Sequence, residues 1–439
     1  MIERLRRAFN ARYTEAGYAR LLAGLEARCG TPIGFRVAET PVFLPAGMLD
    51  GMARMGAELT ERLLGDAAYQ AAAERSIPAG YRVAGASAHP HFMTADFALV
   101  RGADDDLEPK LVELQAFPSV FGYQAELAEE YVRAYGLDAM VGGNLERFLS
   151  GLTEDGYWSL LRETIVGGHA PEQVVLAEVE PERQKTLPDF LVTARRLGIR
   201  VVDIAAIEPD GRKLGYRDAQ GRWVEIRRIY NRAIADEMMA KRVRLQFDLE
   251  AEWDVQWAGH PNWYFRVSKL ALPWLSGTVA GSSMEAHACV PPATFLEDFL
   301  AGPGYRALQR AGVPLPEERS AGWNPDAVYE HLLLKPLFSF AGKGIVFAPS
   351  RGELEAIPVS ERGQYLVQQR MRFEPTIATP HGMTQAEIRI LYAWPDGGAL
   401  TPAISLVRLG RGQMMGVDHN RDLEWVGASA ALRVGETEG

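Results

Sequence analysis

Between positions 331 and 347 the chain reads HLLLKPLFSFAGKGIVF, an apolar run closed by lysine and proline, then a glycine turn with a second lysine, then another apolar run. Pro336 has no N–H to give to a ladder, so a strand over 331–334 must stop there and present Lys335 at its end rather than inside a sheet. Gly342 and Gly344 flank Lys343, which lets backbone N–H groups approach phosphate oxygens while both lysines add positive charge. Such a hairpin can close over a polyanion. The same residues also read as a solvated hairpin with two ordinary surface lysines. It is not a Walker A loop, because Leu337 and Gly344 stand where that motif needs a glycine and a serine or threonine.

An earlier stretch supplies the opposite charge. Residues 92–100 read as a strand, the acidic turn over 102–108 reverses it, and 110–117 read as the returning strand. Alternation sends Glu113 and Gln115 to one face and Val112 and Leu114 to the other, and Asp96 on the partner strand can share the space of the first pair. Two carboxylates and an amide oxygen converging there suit Mg²⁺, which keeps waters and bridges to substrate phosphates. The alternative is a half-exposed hairpin with its polar side in water. His89 and His91 share a strand face but lack a third ligand, so they read as ordinary polar residues.

The remainder of the chain is α/β. Residues 2–29, 46–64 and 125–165 carry helical spacing, and 173–204 read as strand, helix, strand, most simply a parallel pair with a right-handed crossover. Two hairpins follow and lead to Arg227, Arg228 and Arg232, a cluster that fits an anion site or a charged rim. Residues 237–320 are mainly helical by pattern, with Lys269 opening an apolar helix. Later strand runs cover 365–369, 386–392 and 403–408; Glu387 and Arg389 share one face of the second, and Arg408 ends the third. There is no GxSxG elbow, HExxH helix or GxGxxG fingerprint.

With 439 residues and 24% charged, the chain has the composition of a soluble globular protein of two or three domains. A net charge of −10 disfavours nucleic acid and anionic membrane as partners. The N-terminus is charged from its third residue with no signal-peptide core, no window is apolar enough to span a membrane, and Cys29 and Cys289 form no CxxC pair. A cytoplasmic location follows as the expectation, and a disulfide framework is excluded; oligomeric state is not encoded in any of these features.

Taken together, these parts resemble the ATP-grasp ligases. Lys335-Pro336 is similar to their lysine strand, 340–344 to their phosphate-covering loop, and Val367-Gln368-Gln369 to the hinge strand whose backbone holds adenine. Arg389 and Arg408 fall where the family has phosphate- and acyl-phosphate-binding arginines, and 415–420 resembles the asparagine-bearing turn that follows. The carboxylate strands come first instead of last, which is the order of the circularly permuted group that includes glutathionylspermidine synthetase. The 173–236 unit, ending Ile229-Tyr230-Asn231-Arg232, looks like that group's α/β domain. Three residues depart from its pattern: Gln115 stands for asparagine, Thr94 for an arginine, and the loop has one lysine where that enzyme has Arg-Glu. No cysteine-protease-like amidase part is present.

The resemblance implies a permuted ATP-grasp fold with a helical N-terminal part carrying the carboxylate strands (1–170), a small α/β substrate domain (171–250) and an ATP-binding lid and nucleotide domain (251–439). It implies ATP and Mg²⁺ as cofactors, with Asp96, Glu113 and Gln115 on the metal, and Lys335, Lys343, Gly342, Gly344, Gln368, Gln369 and Lys269 on the nucleotide. Arg389, Arg408 and Arg232 would be the catalytic arginines. The implied reaction is carboxylate–amine ligation through an acyl phosphate, with small-molecule or peptide acids and amines as substrates. Acceptor-binding residues are expected around 227–232 and 257–269, with Trp257, His260, Trp263 and Tyr264 as candidates. Phosphotransfer to another acceptor, or nucleotide binding without catalysis, are the alternatives on the same fold.

Overall fold

The structure, a computed structural model, describes residues 1–142, 145–316, 327–339, 342–417, 420 and 422–435. The first part of the chain supplies β1 (Val42–Pro45), the hairpin β2 (Phe92–Arg101) and β3 (Leu107–Gln115), and the short β4 (Leu145–Glu146). The middle supplies β5 (Val174–Glu178) and β6 (Arg200–Asp203), a meander of β7 (Glu208–Asp210), β8 (Lys213–Arg217) and β9 (Trp223–Ile226), then β10 (Arg228–Asn231) and β11 (Gln256–Ala258). The last part supplies β12 (Ala293–Phe295), β13 (Leu332–Pro336), β14 (Val346–Phe347), β15 (Tyr365–Gln369), β16 (Ile377–Thr379), β17 (Gly382–Ala393), β18 (Thr401–Gly410) and β19 (Gly427–Val434).

The central sheet runs β1-β19-β18-β17-β2-β3, with β16 on β17 and β4 on β19. It draws strands from both the first and the last third of the chain, so the sequence divisions at 170 and 250 cut across it. Along β2 the two faces differ. Met93, Ala95, Phe97 and Leu99 pack with Ile388, Ile390 and Tyr392 against the helix Ala46–Gly65. Gly56 lets that helix touch the sheet, because a Cβ there would run into the Tyr392 hydroxyl, which donates to Ala53 O at 2.8 Å. The other face is apolar at Phe92, Leu391 and Ile404, where helices 121–135 and 154–165 cover it. Farther along the same face it turns charged.

A second sheet is parallel, in the order β11-β10-β5-β6, with the helix Leu187–Leu197 as the crossover between β5 and β6. This unit agrees with the strand–helix–strand spacing. A third, antiparallel sheet in the order β12-β15-β13-β14 carries the lysine hairpin.

Two sequence expectations give way. The 237–320 stretch contains only short helices, Ala235–Lys241, Asn262–Arg266, Ala271–Leu275, Leu296–Ala301 and Pro303–Arg310, with β11 and β12 between them; Pro261, Pro273, Gly277, Gly281 and Gly302 interrupt what apolar spacing alone suggests. Positions 317–320 of that stretch lie outside the described residues. Lys335, expected at an open strand end, pairs with Leu366 inside the third sheet and is 3% exposed. Pro336 ends the strand only after it has paired with Tyr365, one residue farther on. No helix among the described residues is long and apolar enough to cross a membrane.

Candidate functional site

A cavity of about 900 Å³ opens where the charged face of the central sheet, the lysine hairpin and the carboxyl ends of the parallel strands meet. Among the described residues its basic lining is Lys185, Arg232, Lys269, Lys335, Arg370, Arg372, Arg389, Arg408 and Arg411, nine side chains, against the carboxylates Glu113 and Glu387. In a chain of net charge −10 this concentrates positive charge at one place, as a polyanion site requires.

Strand register builds the centre. Arg389, Asp96 and Glu113 lie in one row across β17, β2 and β3, and Glu387 faces Arg408 in the next row. A bulge after Asp96 pairs Phe97 with Leu111 and leaves Val112 extra. That is why Val112, expected on the opposite face from Glu113, lines the cavity too. Its carbonyl lies 3.4 Å from Lys335 Nζ.

Arg389 grips Asp96 with two hydrogen bonds, Nε to Oδ1 at 2.5 Å and Nη2 to Oδ2 at 2.6 Å, and Arg408 Nη1 adds a third to Oδ2 at 3.1 Å. Arg408 also donates to Glu387. Burial alone would raise the Asp96 carboxyl, but the two arginines hold it below its ordinary value. Glu387 goes the other way: its burial and the neighbouring carboxylates Asp96 and Glu113 outweigh Arg408. Glu113 is looser, with Lys269 Nζ and Arg389 Nη2 each at 3.5 Å. Lys269 is anchored instead on Ser339 O at 2.8 Å. Lys335 has no carboxylate at salt-bridge distance among the described residues, and its burial lowers its pKa to about 8.

Thus the structure brings together Glu113, Gln115, Arg232, Lys269, Lys335, Gly342, Arg389 and Arg408 from positions far apart in sequence. Asp96 lies directly beneath them, 1% exposed. Lys343 and Gly344 are exposed and outside the lining, Gln368 is fully buried, and Gln369 is half-buried with its N–H on Pro292 O. Of the loop, Phe340 and Ala341 lie outside the described residues, as do Asp418 and His419 of the 415–420 turn. Asn420, at the end of that turn, is buried and donates to Met414 O at 2.9 Å.

Other candidates lie elsewhere. Arg228 is buried on Thr164 O, Ile165 O and Asp396, at the opposite ends of the strands. Trp257, His260 and Trp263 are buried in packed cores and do not line the cavity; burial takes His260 down to about 4. Tyr264 donates to Asp236 at 2.9 Å. Sequence reasoning left out Glu387, Arg370, Arg372 and Arg411. For Glu387 the signal was present in its shared strand face with Arg389.

Among the described residues no three histidine, cysteine or acidic side chains converge as a metal cage. Glu113 and Gln115 line the cavity while Asp96 is engaged by arginine. The set therefore fits a cation that is held by one or two protein oxygens and completed by phosphates and water, as Mg²⁺ is.

At the carboxyl end of β5, Glu178 is 4% exposed, and burial, only partly offset by the Val179 N–H and Arg232, raises its pKa to about 8 from an ordinary 4.5. A carboxyl whose folded pKa is raised favours folding fully below the unfolded value and loses that contribution as pH rises toward the folded one. Thermal unfolding should therefore show wild type losing a few kcal/mol relative to Glu178→Gln between about pH 4.5 and pH 8. Parallel pH profiles would contradict the buried protonated state.

No family model matches the sequence, and no curated protein matches it. Among solved structures the chain is similar to a glutathione synthetase-like effector, GSS30, from Globodera pallida in its apo form: 12% identity and a TM-score of 0.54, over 95% of this chain and 96% of that one. The fold is therefore an α/β architecture like that of a glutathione synthetase-like protein.

Proposed function

We propose that the protein is an ATP-dependent carboxylate–amine ligase of permuted ATP-grasp type. One observation carries the reading: Lys269, Lys335, Arg389 and Arg408 converge with Glu113 and Gln115 on one cavity whose described lining is net positive. The early carboxylate hairpin lies beside β17 in one sheet, as a permuted order requires. Bound ATP with Mg²⁺ would supply a γ-phosphoryl group to the acid's carboxylate, giving an acyl phosphate from which an amine displaces phosphate and forms the amide. Lys335 and Lys269 neutralise phosphate charge, Arg389 and Arg408 orient the transferring group, and Glu113 and Gln115 are the oxygens that would hold the ion. Positioning and charge neutralisation suffice for such transfer, and no protein nucleophile is required.

A second reading, nucleotide binding without turnover, is favoured by the engagement of Asp96 with Arg389 and Arg408. It agrees with the structural relative's being an effector. Calorimetric titration with ATP and Mg²⁺ should give micromolar binding whose metal dependence weakens in Glu113→Ala. ADP release that rises only when an acid and an amine are both present would mark the ligase; binding with no acceptor-dependent release would mark the binder. A folded wild type that binds no nucleotide sinks both.

A further inference from the structure

The cavity carries more positive charge than the proposed transfer uses, and strand register places the excess. Lys335 faces Leu366 across the third sheet, and Arg370 follows four residues after Leu366, about 13 Å farther along an extended chain. On the central sheet Gln385 precedes Arg389 by four residues, again about 13 Å, and faces Gly410, the residue before Arg411. Gln385 Nε2 donates to Phe373 O at 3.1 Å, which ties these two ends together. Arg370, Arg372 and Arg411, all lining the cavity, therefore form a rim at its far end from Lys335 and Arg389. Between the two ends Leu333 and Phe347, which are cross-strand partners, give the cavity an apolar stretch.

Among the described residues no carboxylate stands at salt-bridge distance from any of the three; Arg370 lies over the Phe347 ring at 5.4 Å, and Arg411 Nη2 donates to Thr379 Oγ1 at 3.2 Å. Glu374, next to this segment in sequence, pairs with Arg101 at 2.7 Å instead. The other arginines of the lining differ: Arg389 and Arg408 meet Asp96, Glu113 and Glu387, and Arg232 meets Asp189. Three guanidiniums at one end of a cavity without acids repel one another, and an anion of two or more charges among them relieves that repulsion. The guanidinium fork also matches phosphate oxygens two at a time.

We propose that this rim is a second phosphate subsite, separate from the triphosphate centre, and that it takes a phosphomonoester dianion. The phosphate sits either on the sugar of the bound nucleotide, which then spans the apolar stretch between Lys335 and Arg370, or on a second substrate. The place of the triphosphate, at the Lys335 end, rests on the proposed function; the affinity of the rim for phosphate does not.

The test is calorimetric titration of the full chain with adenosine 2′,5′- and 3′,5′-bisphosphate beside AMP, and with glycerol 3-phosphate beside glycerol, the second pair with and without a non-hydrolysable ATP analogue and Mg²⁺. At least one phosphorylated probe should bind at least about tenfold more tightly than its partner, the effect of one charge-assisted hydrogen bond or more. A bisphosphate preference puts the phosphate on the nucleotide; glycerol 3-phosphate binding that persists beside the analogue puts it on a second molecule. Arg411→Gln should erase the preference, and Arg372→Gln, at an exposed position, should weaken it several-fold even if Arg411→Gln folds poorly. Both variants should lose more affinity for the phosphomonoester than for the ATP analogue. Equal binding within both pairs, a preference unchanged in both variants, or an equal loss of the analogue overturns the subsite. A preference lost in the variants while the analogue never binds keeps the subsite and refutes the nucleotide reading instead.

Discussion

Lys335→Met should lower nucleotide affinity by about 100-fold or more while making the unliganded protein more stable, not less. The two effects have one cause. The Lys335 ammonium is 3% exposed, and its one hydrogen bond among the described residues is a long one, 3.4 Å to Val112 O. Burial, with Lys269 nearby and Glu113 only partly compensating, brings its pKa from 10.5 to about 8. For a lysine with a depressed folded pKa, the contribution to stability is complete above the unfolded value and is lost as pH falls through the folded one. The wild type should therefore gain about 3 kcal/mol between pH 8 and pH 10.5, and Lys335→Met should show no such gain. A phosphate oxyanion at Lys335 restores the charge its surroundings disfavour, so nucleotide affinity should fall above about pH 8, and binding near that pH should take up a proton. Calorimetry in buffers of different ionisation enthalpy, beside chemical unfolding of the apo protein, reads both. A variant that is less stable and still binds would place Lys335 in a structural role.

Asp96→Ala carries the opposite expectation for stability. It leaves Arg389 and Arg408, both half-buried, without the carboxylate that three hydrogen bonds now fix. Removing one partner of such a network costs about 3–5 kcal/mol, because the remaining charges stay desolvated. The Asp96 pKa is held low, so the wild-type contribution is present above the ordinary carboxylate range and lost as pH falls below it. The difference between wild type and Asp96→Ala, measured by denaturant unfolding, should shrink toward acid. A change under about 1 kcal/mol at pH 7 would mean that Glu387 and Glu113, the other carboxylates beside Arg408 and Arg389, suffice to hold the two arginines.

Local signals were legible wherever one strand or turn decided the outcome. Alternation placed Glu113 and Gln115 on one face, Pro336 marked where β13 ends, and the spacing over 173–204 gave a parallel unit. What escaped depends on pairing between distant segments. That Arg389 lies opposite Asp96, almost 300 positions earlier, follows from the β17–β2 register, which neither strand specifies alone. The bulge that turns Val112 toward the cavity is likewise a property of two strands. Burial of Lys335 depends on β15 covering its ladder. The 237–320 stretch misled because apolar residues at helical spacing were divided by proline and glycine into helices of five to eight residues.

The circular route of the chain through its central sheet has a consequence for synthesis on the ribosome. β2 can find β3 at once, but its other neighbour, β17, emerges only after some 280 further residues, and β1 waits for β19 near the far end. Until then Phe92–Arg101, apolar along one side and buried for most of its length in the folded sheet, is an open sheet edge. A nascent chain stalled before residue 380 displays that edge together with an Asp96 that lacks both arginines. Such intermediates invite self-association, which makes holdase chaperones a natural requirement for high yield on expression.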